Sequence, residues 1–270
     1  GGSSEAKLRN DGFDGEVTHV DGSVDPVRDA ETVTTELMIA DLDAVEKRMA
    51  KETKRAQGGD KDARLLMAVL EPLGAALTEG KPARTVEFSA EDMRLARQLQ
   101  LLTFKPVLYI CNVGEEDAAQ GNHHSRAVEE MAEREGASSI LISAAIEAEI
   151  AALPTAEDKQ EFLETLGLEE TGLARLIRQG YGLLDLLTFF TAGPKEARAW
   201  TVRTGSTAPQ AAGAIHTDFE RGFIRAQTIG WEKLIEAGSL VEARNKGWLR
   251  SEGKDYVVDE GDVMEFLFNV

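Results

Sequence analysis

One run constrains this chain more than any other: Lys105-Pro106-Val107-Leu108-Tyr109-Ile110-Cys111-Asn112-Val113-Gly114-Glu115. The apolar residues 107–111 follow a proline and end in a polar, glycine-containing turn. That is the pattern of a strand buried on both faces of a parallel sheet. Asn112 and Glu115 form N-x-x-E at its carboxyl end, where open α/β sheets place their ligands. An Asn amide offers a donor and an acceptor, and a carboxylate only accepts, so the pair suits the edge of a purine. Polar residues after a buried strand are common, and the four positions alone do not specify a ligand.

Ahead of this strand the period changes from two to seven. Met38, Leu42, Val45 and Met49 step by four, three and four along a helix expected over residues 29–57. Gly58-Gly59-Asp60 breaks it, and Leu66, Leu70, Leu73 and Leu77 repeat the spacing. Two antiparallel helices with facing stripes make a hairpin of coiled-coil type, whose second arm should kink at Pro72. Ser89-Ala90-Glu91-Asp92 resembles a capping box, with Asp in the place of Glu, and opens a helix leading back to the organising strand. Residues 1–15 are polar and glycine-rich and are expected to be poorly ordered. Residues 16–20 read as a short strand, and Val24-Asp25-Pro26 as a turn.

After the strand, residues 122–135 read as a helix, 138–143 as a second parallel strand and 144–153 as its helix. A right-handed crossover between the strands aligns Asn112 with Ser143 at one sheet edge. His123 and His124 suggest a metal, but no Cys, His or carboxylate set with ligand spacing stands beside them, so no metal ligand is assigned. Pro154-Thr155 starts another helix, and residues 173–187 form the last helix before a second domain. Beyond it, strands are expected over 197–201, 223–229, 256–258 and 263–268, and helices over 209–216 and 231–237. Asp259-Glu260-Gly261 supplies a hairpin turn. His216 and Asp218 lie two apart with no nucleophile nearby, which reads as a structural hydrogen-bonding pair, and no catalytic residue is assigned. Arg221 and Arg225 share a side whether their segment is helical or extended, giving a small phosphate-binding face; pairing with Glu220 is the alternative.

Apolar residues make up 42% of the chain and charged residues 29%, which is ordinary for a soluble globular protein. No apolar run approaches the ~20 residues that span a bilayer. The single cysteine, Cys111, excludes a disulfide within the monomer, and a cytoplasmic location is the default. Net charge is −18, but residues 188–270 hold 12 acids against 10 bases, so nearly all the excess lies earlier. An acidic body repels nucleic acid at long range, which makes the nearly neutral carboxyl-terminal part the better candidate for touching RNA.

Asn112-Val113-Gly114-Glu115 resembles the base-reading loop of the Obg-like, YchF-type ATPases, P-loop proteins related to translational GTPases. In that family N-x-x-E stands where GTPases carry N-K-x-D, and ATP is preferred. Ser143-Ala144-Ala145 is similar to the family's last nucleotide-binding loop. More specific is the run from Phe190-Thr191-Ala192-Gly193 and Arg198-Ala199-Trp200-Thr201 to Ala208-Pro209-Gln210-Ala211-Ala212-Gly213. It continues from Ile215-His216-Thr217-Asp218-Phe219-Glu220-Arg221-Gly222 to Ala226 and closes with Gly253-Lys254-Asp255-Tyr256 and Gly261-Asp262-Val263. This resembles the family's carboxyl-terminal TGS domain nearly residue for residue, and the similarity covers roughly residues 16–270.

The resemblance implies an α/β fold: a partial P-loop NTPase parallel sheet, G-domain-like, with a helical coiled-coil hairpin insertion and a ubiquitin-like β-grasp (TGS) domain. It implies a linker and remnant over 1–28, the arm over 29–103, the nucleotide domain's second half over 104–187, and the TGS domain over 188–270. It further implies ATP held by Asn112, Val113, Glu115, Ser143, Ala144 and Ala145, Mg²⁺ as the accompanying metal, and a ribosome or ribosomal RNA as partner. One departure stands against these matches. The chain contains no G-x-x-x-x-G-K-[ST] and no D-x-x-G, so phosphate grip, Mg²⁺ hydroxyl and γ-phosphate sensor are missing. It begins Gly1-Gly2-Ser3-Ser4, which reads as a cloning scar or a linker. The expectation is therefore the carboxyl-terminal two-thirds of such an ATPase, inactive alone. The rival is an interaction module that reaches its partner through the arm and the TGS domain.

Overall fold

The computed structural model describes residues 24–193 and 196–269. The strand expected over residues 16–20 lies outside them. The chain divides into two compact units, Gly1–Ile177 and Arg178–Val270.

The first unit opens with helix α1, Pro26–Gln57. The Asp25 carboxylate accepts from the Arg28 amide at 3.1 Å, and Pro26 takes the first helical position, where a missing N–H costs nothing. The triplet expected to turn the chain thus starts the helix instead. Gly59, at φ +93°, makes the break, and Asp60 caps α2, Lys61–Thr78. This helix runs through Pro72 as one element. The two stripes face each other: Val45, Leu70, Leu73 and Leu77 are buried together, with Met38, Leu42, Met49 and Leu66 packed against them. Each fully buried leucine contributes about 2 kcal/mol, which explains why the hairpin holds. Ser89 caps α3, Ala90–Gln98, through the Asp92 amide, but the Asp92 carboxylate takes the Ser89 hydroxyl rather than a backbone N–H, so the capping box is half made.

Strand β1, Leu108–Asn112, pairs in parallel with β2, Ser138–Ile142, in the register Leu108↔Ser138 to Asn112↔Ile142. Helix α4, His123–Glu135, joins them and covers one face, where Tyr109, Val128, Met131 and Ala132 pack with Ala30 of α1. Burial on both faces does not hold. Among the described residues this sheet has two strands, and Ile110 on the opposite face is 38% exposed. Helices α5, Ala144–Ala152, and α6, Ala156–Thr165, share a core of Ile146, Ile150 and Leu163. Helix α7 covers Gly172–Leu183, short of the expected residue 187, because Asp185 at φ +53° turns the chain into a strand.

That strand, β3 (Leu186–Ala192), escaped the sequence reading. The second unit continues with β4 (Ala197–Arg203), α8 (Ala208–Ile215), α9 (Thr217–Arg221), β5 (Phe223–Gly230), α10 (Trp231–Ala237), α11 (Leu240–Asn245), β6 (Arg250–Glu252) and β7 (Asp262–Phe268). Its sheet order is β4-β3-β7-β5-β6, with β3 and β7 parallel and the other pairs antiparallel. Both faces are covered: Phe189, Met264 and the α8 alanines on one, Ile229, Val263 and Ala243 on the other. Residues 256–258 are not a strand: they make one bridge, Thr207↔Val257, with the Tyr256 carbonyl accepting from the Ala208 amide at 2.8 Å and the Val258 amide donating to the Ser206 carbonyl at 2.9 Å, and β6 is the edge strand beside β5. Among the described residues no helix is long and apolar enough to cross a membrane.

Candidate functional site

The parallel register brings the carboxyl ends of β1 and β2 side by side. Asn112 is the last residue of β1, and the Val113 amide continues the ladder by donating to the Ile142 carbonyl at 2.9 Å. The Asn112 side chain then crosses to the neighbouring loop, where its Oδ1 accepts from the Ala144 amide at 3.0 Å. Asn112 and Ser143-Ala144 are 32 positions or so apart in sequence and in contact in space, because the crossover through α4 returns the chain to the same sheet edge.

Asn112 Oδ1 thus has one of its two lone pairs occupied, and Nδ2, with two N–H donors, makes no hydrogen bond among the described residues. The Val113 side chain is buried, which leaves its backbone for recognition. Ser143 is 4% exposed, and its hydroxyl has no hydrogen-bond partner. A buried unpaired hydroxyl is uncommon and marks this loop out. It precedes the first turn of α5, whose leading amides have no partners within the helix. Ala144 is exposed and Ala145 half-buried. Glu115 starts a short 3-10 turn, Glu115–Asp117, is exposed, and makes no hydrogen bond to Asn112. The structure therefore brings Asn112, Val113, Ser143 and Ala144 together, with Ala145 one residue on, and leaves Glu115 apart from the contact.

Three supporting residues had no signal in the sequence. Glu147 Oε1, in the first turn of α5, accepts from the Gly172 amide at 2.6 Å. A Cβ at Gly172 would stand 2.7 Å from Ile142 Cγ1, so only glycine lets α7 approach the end of β2 this closely. Arg175 Nη2 donates to the Leu141 carbonyl at 3.1 Å. These contacts span 25 to 34 positions and appear only once the chain is folded. Cys111, one residue before Asn112, is half-buried; burial, then the Glu129 charge, push its thiol pKa up, which keeps it protonated and inert.

Asn112 Nδ2, the orphaned Ser143 hydroxyl and the open amides of α5 fit a planar heterocycle with polar edges. The side chains that would hold Mg²⁺ beside a triphosphate, a phosphate-loop hydroxyl and a following carboxylate, belong to motifs the sequence does not contain, and among the described residues no three His, Cys, Asp or Glu side chains converge. His216 and Asp218 are accounted for structurally, since His216 Nδ1 accepts from the Asp218 amide at 3.2 Å and starts α9. Arg221 ends α9 while Arg225 lies in β5, beyond Gly222, so their segment is neither wholly helical nor wholly extended. Both are exposed, and neither makes an ion pair among the described residues.

A parallel β-α-β unit with polar loops at its strand ends, preceded by a helical hairpin and followed by a small mixed sheet, defines an α/β protein with its site at the sheet edge. Comparison with known proteins narrows the class. The family model described as YchF-GTPase_C, protein of unknown function (DUF933), matches residues 186–269. The chain is 49% identical over 259 residues to the ribosome-binding ATPase YchF of Bacillus subtilis (strain 168), covering 95% of this chain and 70% of that protein. It is 50% identical over 254 residues to the ribosome-binding ATPase YchF of Escherichia coli O157:H7, covering 94% and 69%. Among solved structures, that of the Schizosaccharomyces pombe YchF GTPase superposes with a TM-score of 0.82 at 32% identity, covering 96% of this chain and 70% of that one. The chain belongs to the Obg-like, YchF-type family.

Proposed function

We propose that this chain carries the base-reading part of an ATPase that works at the ribosome, and that the 270 residues alone bind adenine but hydrolyse ATP negligibly. The observation that carries the reading is the bond from the Ala144 amide to Asn112 Oδ1, which fixes the side chain and leaves its Nδ2 donors without a partner among the described residues. Adenine presents the acceptor N7 beside the donor N6 amine, whereas guanine presents two acceptors, N7 and O6. Asn112 Nδ2 suits N7, and the Val113 carbonyl suits the N6 amine but opposes O6. Ser143 and the Ala145 amide support the ring, the Ala144 amide being held by Asn112 Oδ1, and Glu115 stands at the rim as a further acceptor. ATP, when bound, supplies the phosphoanhydride that hydrolysis breaks; the residues named here hold the base.

In this reading residues 1–28 are a linker and remnant, and 29–103 a coiled-coil arm. Residues 104–187 are the second half of a nucleotide domain, and 188–270 a TGS domain. The sheet order β4-β3-β7-β5-β6 with α8 packed on it supports a ubiquitin-like β-grasp for the last. The relatives' printed function, ribosome binding, supports the partner. The exposed, unpaired Arg221 and Arg225 favour a second reading, in which this unit and the arm dock on ribosomal RNA without nucleotide.

Equilibrium binding separates the two. On the first reading ATP displaces a fluorescent adenine nucleotide better than GTP does, and adenosine binds within about threefold of ATP because no phosphate loop grips the tail. Asn112→Ala weakens both nucleotides alike, since N7 is common to the two bases. Equal affinity for ATP and GTP sinks the reading, as does Mg²⁺-dependent turnover by the chain that Asn112→Ala removes. Co-sedimentation with ribosomes that is independent of ATP and lost on deleting residues 188–270 favours the second.

A further inference from the structure

A groove of about 760 Å³ lies where α3 and the segment leading into β1 meet, away from the strand ends. Its charge is opposite to that of the chain. The lining holds Arg84, Arg97 and Lys105 and no acid, in a protein of net charge −18. Arg84 is spoken for, donating to Glu135 at 3.0 Å, but Arg97 and Lys105 are exposed and make no ion pair among the described residues. Between the cations the floor is apolar: Met93, Phe104 and Leu102, the last 44% exposed. Leu102 is exposed and Met93 and Phe104 are half-buried beside it, so a partner drawn in by the cations finds apolar surface to cover.

The groove is also held in shape. Asp41, 3% exposed, accepts from the Leu102 amide at 2.8 Å and from the Thr103 amide and hydroxyl at 2.7 Å each. Thr103 Oγ1 in turn accepts from the Ala83 amide at 3.0 Å, which ties both walls together. Gln100, at the rim, holds a left-handed φ of +54°, a conformation that is strained in a non-glycine residue and persists only where its surroundings impose it.

We propose that this groove docks an acidic amphipathic peptide segment of a partner protein, with carboxylates on Arg97 and Lys105 and apolar side chains on Met93, Leu102 and Phe104. Charge complementarity selects the sign, and the aliphatic floor selects the class. A single-stranded nucleic acid needs several aromatic faces for its bases, and this floor offers one, Phe104. The long phosphate backbone would moreover meet the acidic surface of the same unit, whereas a short acidic peptide meets only the two cations. The inference is independent of the purine reading, because none of these residues touches Asn112 or Ser143.

Fluorescence anisotropy on the whole chain tests it with three labelled probes: a peptide of about a dozen residues alternating Glu pairs with Leu pairs, its Lys counterpart, and an oligouridylate of similar length. The acidic peptide is expected to bind, the Lys peptide not, and affinity to fall with added salt. Arg97→Glu with Lys105→Glu should weaken the acidic peptide by about tenfold or more. Arg94→Glu, an exposed arginine of α3 outside the groove lining, should leave it unchanged. Leu102→Ser, which changes no charge, should also weaken it. Equal binding of both peptides, no binding of either, no response to the paired reversal, or an oligouridylate that binds more tightly and competes overturns the proposal.

Discussion

Asp41 in α1 and Thr103 in the segment leading to β1 are 62 positions apart, yet the Asp41 carboxylate accepts both the amide and the hydroxyl of Thr103 at 2.7 Å. Among the described residues no cation pairs with this buried carboxylate; its compensation is three hydrogen bonds, counting the Leu102 amide. The bond set fastens the helical hairpin to the start of the strand that ends in Asn112.

Asp41→Ala removes that acceptor and leaves two amides and a hydroxyl without partners in a closed site. An expected loss of about 2–4 kcal/mol follows from the cost of buried unsatisfied donors. Chemical denaturation measures it, and Asp41→Asn should recover part of the loss because one acceptor oxygen remains. A change of under about 0.5 kcal/mol for the alanine variant, the range of ordinary surface substitutions, would contradict the account.

Ser143→Ala separates stability from binding. The Ser143 hydroxyl is buried without a partner, so removing it should leave the fold unchanged or stabilise it by about 1 kcal/mol. Affinity for adenine nucleotide should fall in the same variant. If the melting temperature drops and affinity holds, the hydroxyl serves the core and not the ligand.

Gly172→Ala places a methyl 2.7 Å from Ile142 Cγ1 and 3.1 Å from Glu147 Oε1. Relief requires α7 to move off β2, at an expected cost of about 1–3 kcal/mol for overpacking. Hydrogen exchange of the Ala144 and Ile146 amides should rise more than that of the α1–α2 hairpin. A uniform increase across both would show that the effect is global and that the brace is not local to the site.

Alkaline stability should follow Tyr109 and Tyr256. Burial, then the hydrogen bond to Glu135, push the Tyr109 pKa up to about 12, and burial with Asp262 raises that of Tyr256 in the same direction. A raised pKa in the folded state means that the unfolded chain loses its proton first. Their contribution is therefore intact below the ordinary tyrosine pKa of about 10 and declines as pH climbs from there through the folded value. Ultraviolet titration of the phenolates checks this, with Tyr109→Phe removing a late component. Loss of a component at the ordinary tyrosine pH instead would refute the assignment.

The helical hairpin was legible because Met38, Leu42, Val45 and Met49 repeat with the helix period, and burial then needs only a second stripe at the same spacing. The adjacency of Asn112 and Ser143 was legible for a related reason: a strand, a helix and a strand joined by short turns have one favoured handedness. Strand β3 was not, since Leu186-Leu187 continues the apolar pattern of α7 and the turn between them rests on Asp185 at φ +53°, a residue with no local demand for it. The exposure of Ile110 among the described residues was illegible too. A run of five apolar residues says that a strand can be buried on both sides, not which elements cover each side.

From the chain alone come periods, caps, turns and the residue types at the strand ends, because these depend on neighbours within a few positions. Tertiary structure alone decided that Asn112 accepts from Ala144 and keeps its Nδ2 without a partner among the described residues, that Glu147 and Gly172 brace the same loop, and that Arg97 and Lys105 stand over an apolar floor. Each of these joins groups that are distant in sequence, and hydrogen-bond direction and charge proximity exist only after the chain has brought such groups together.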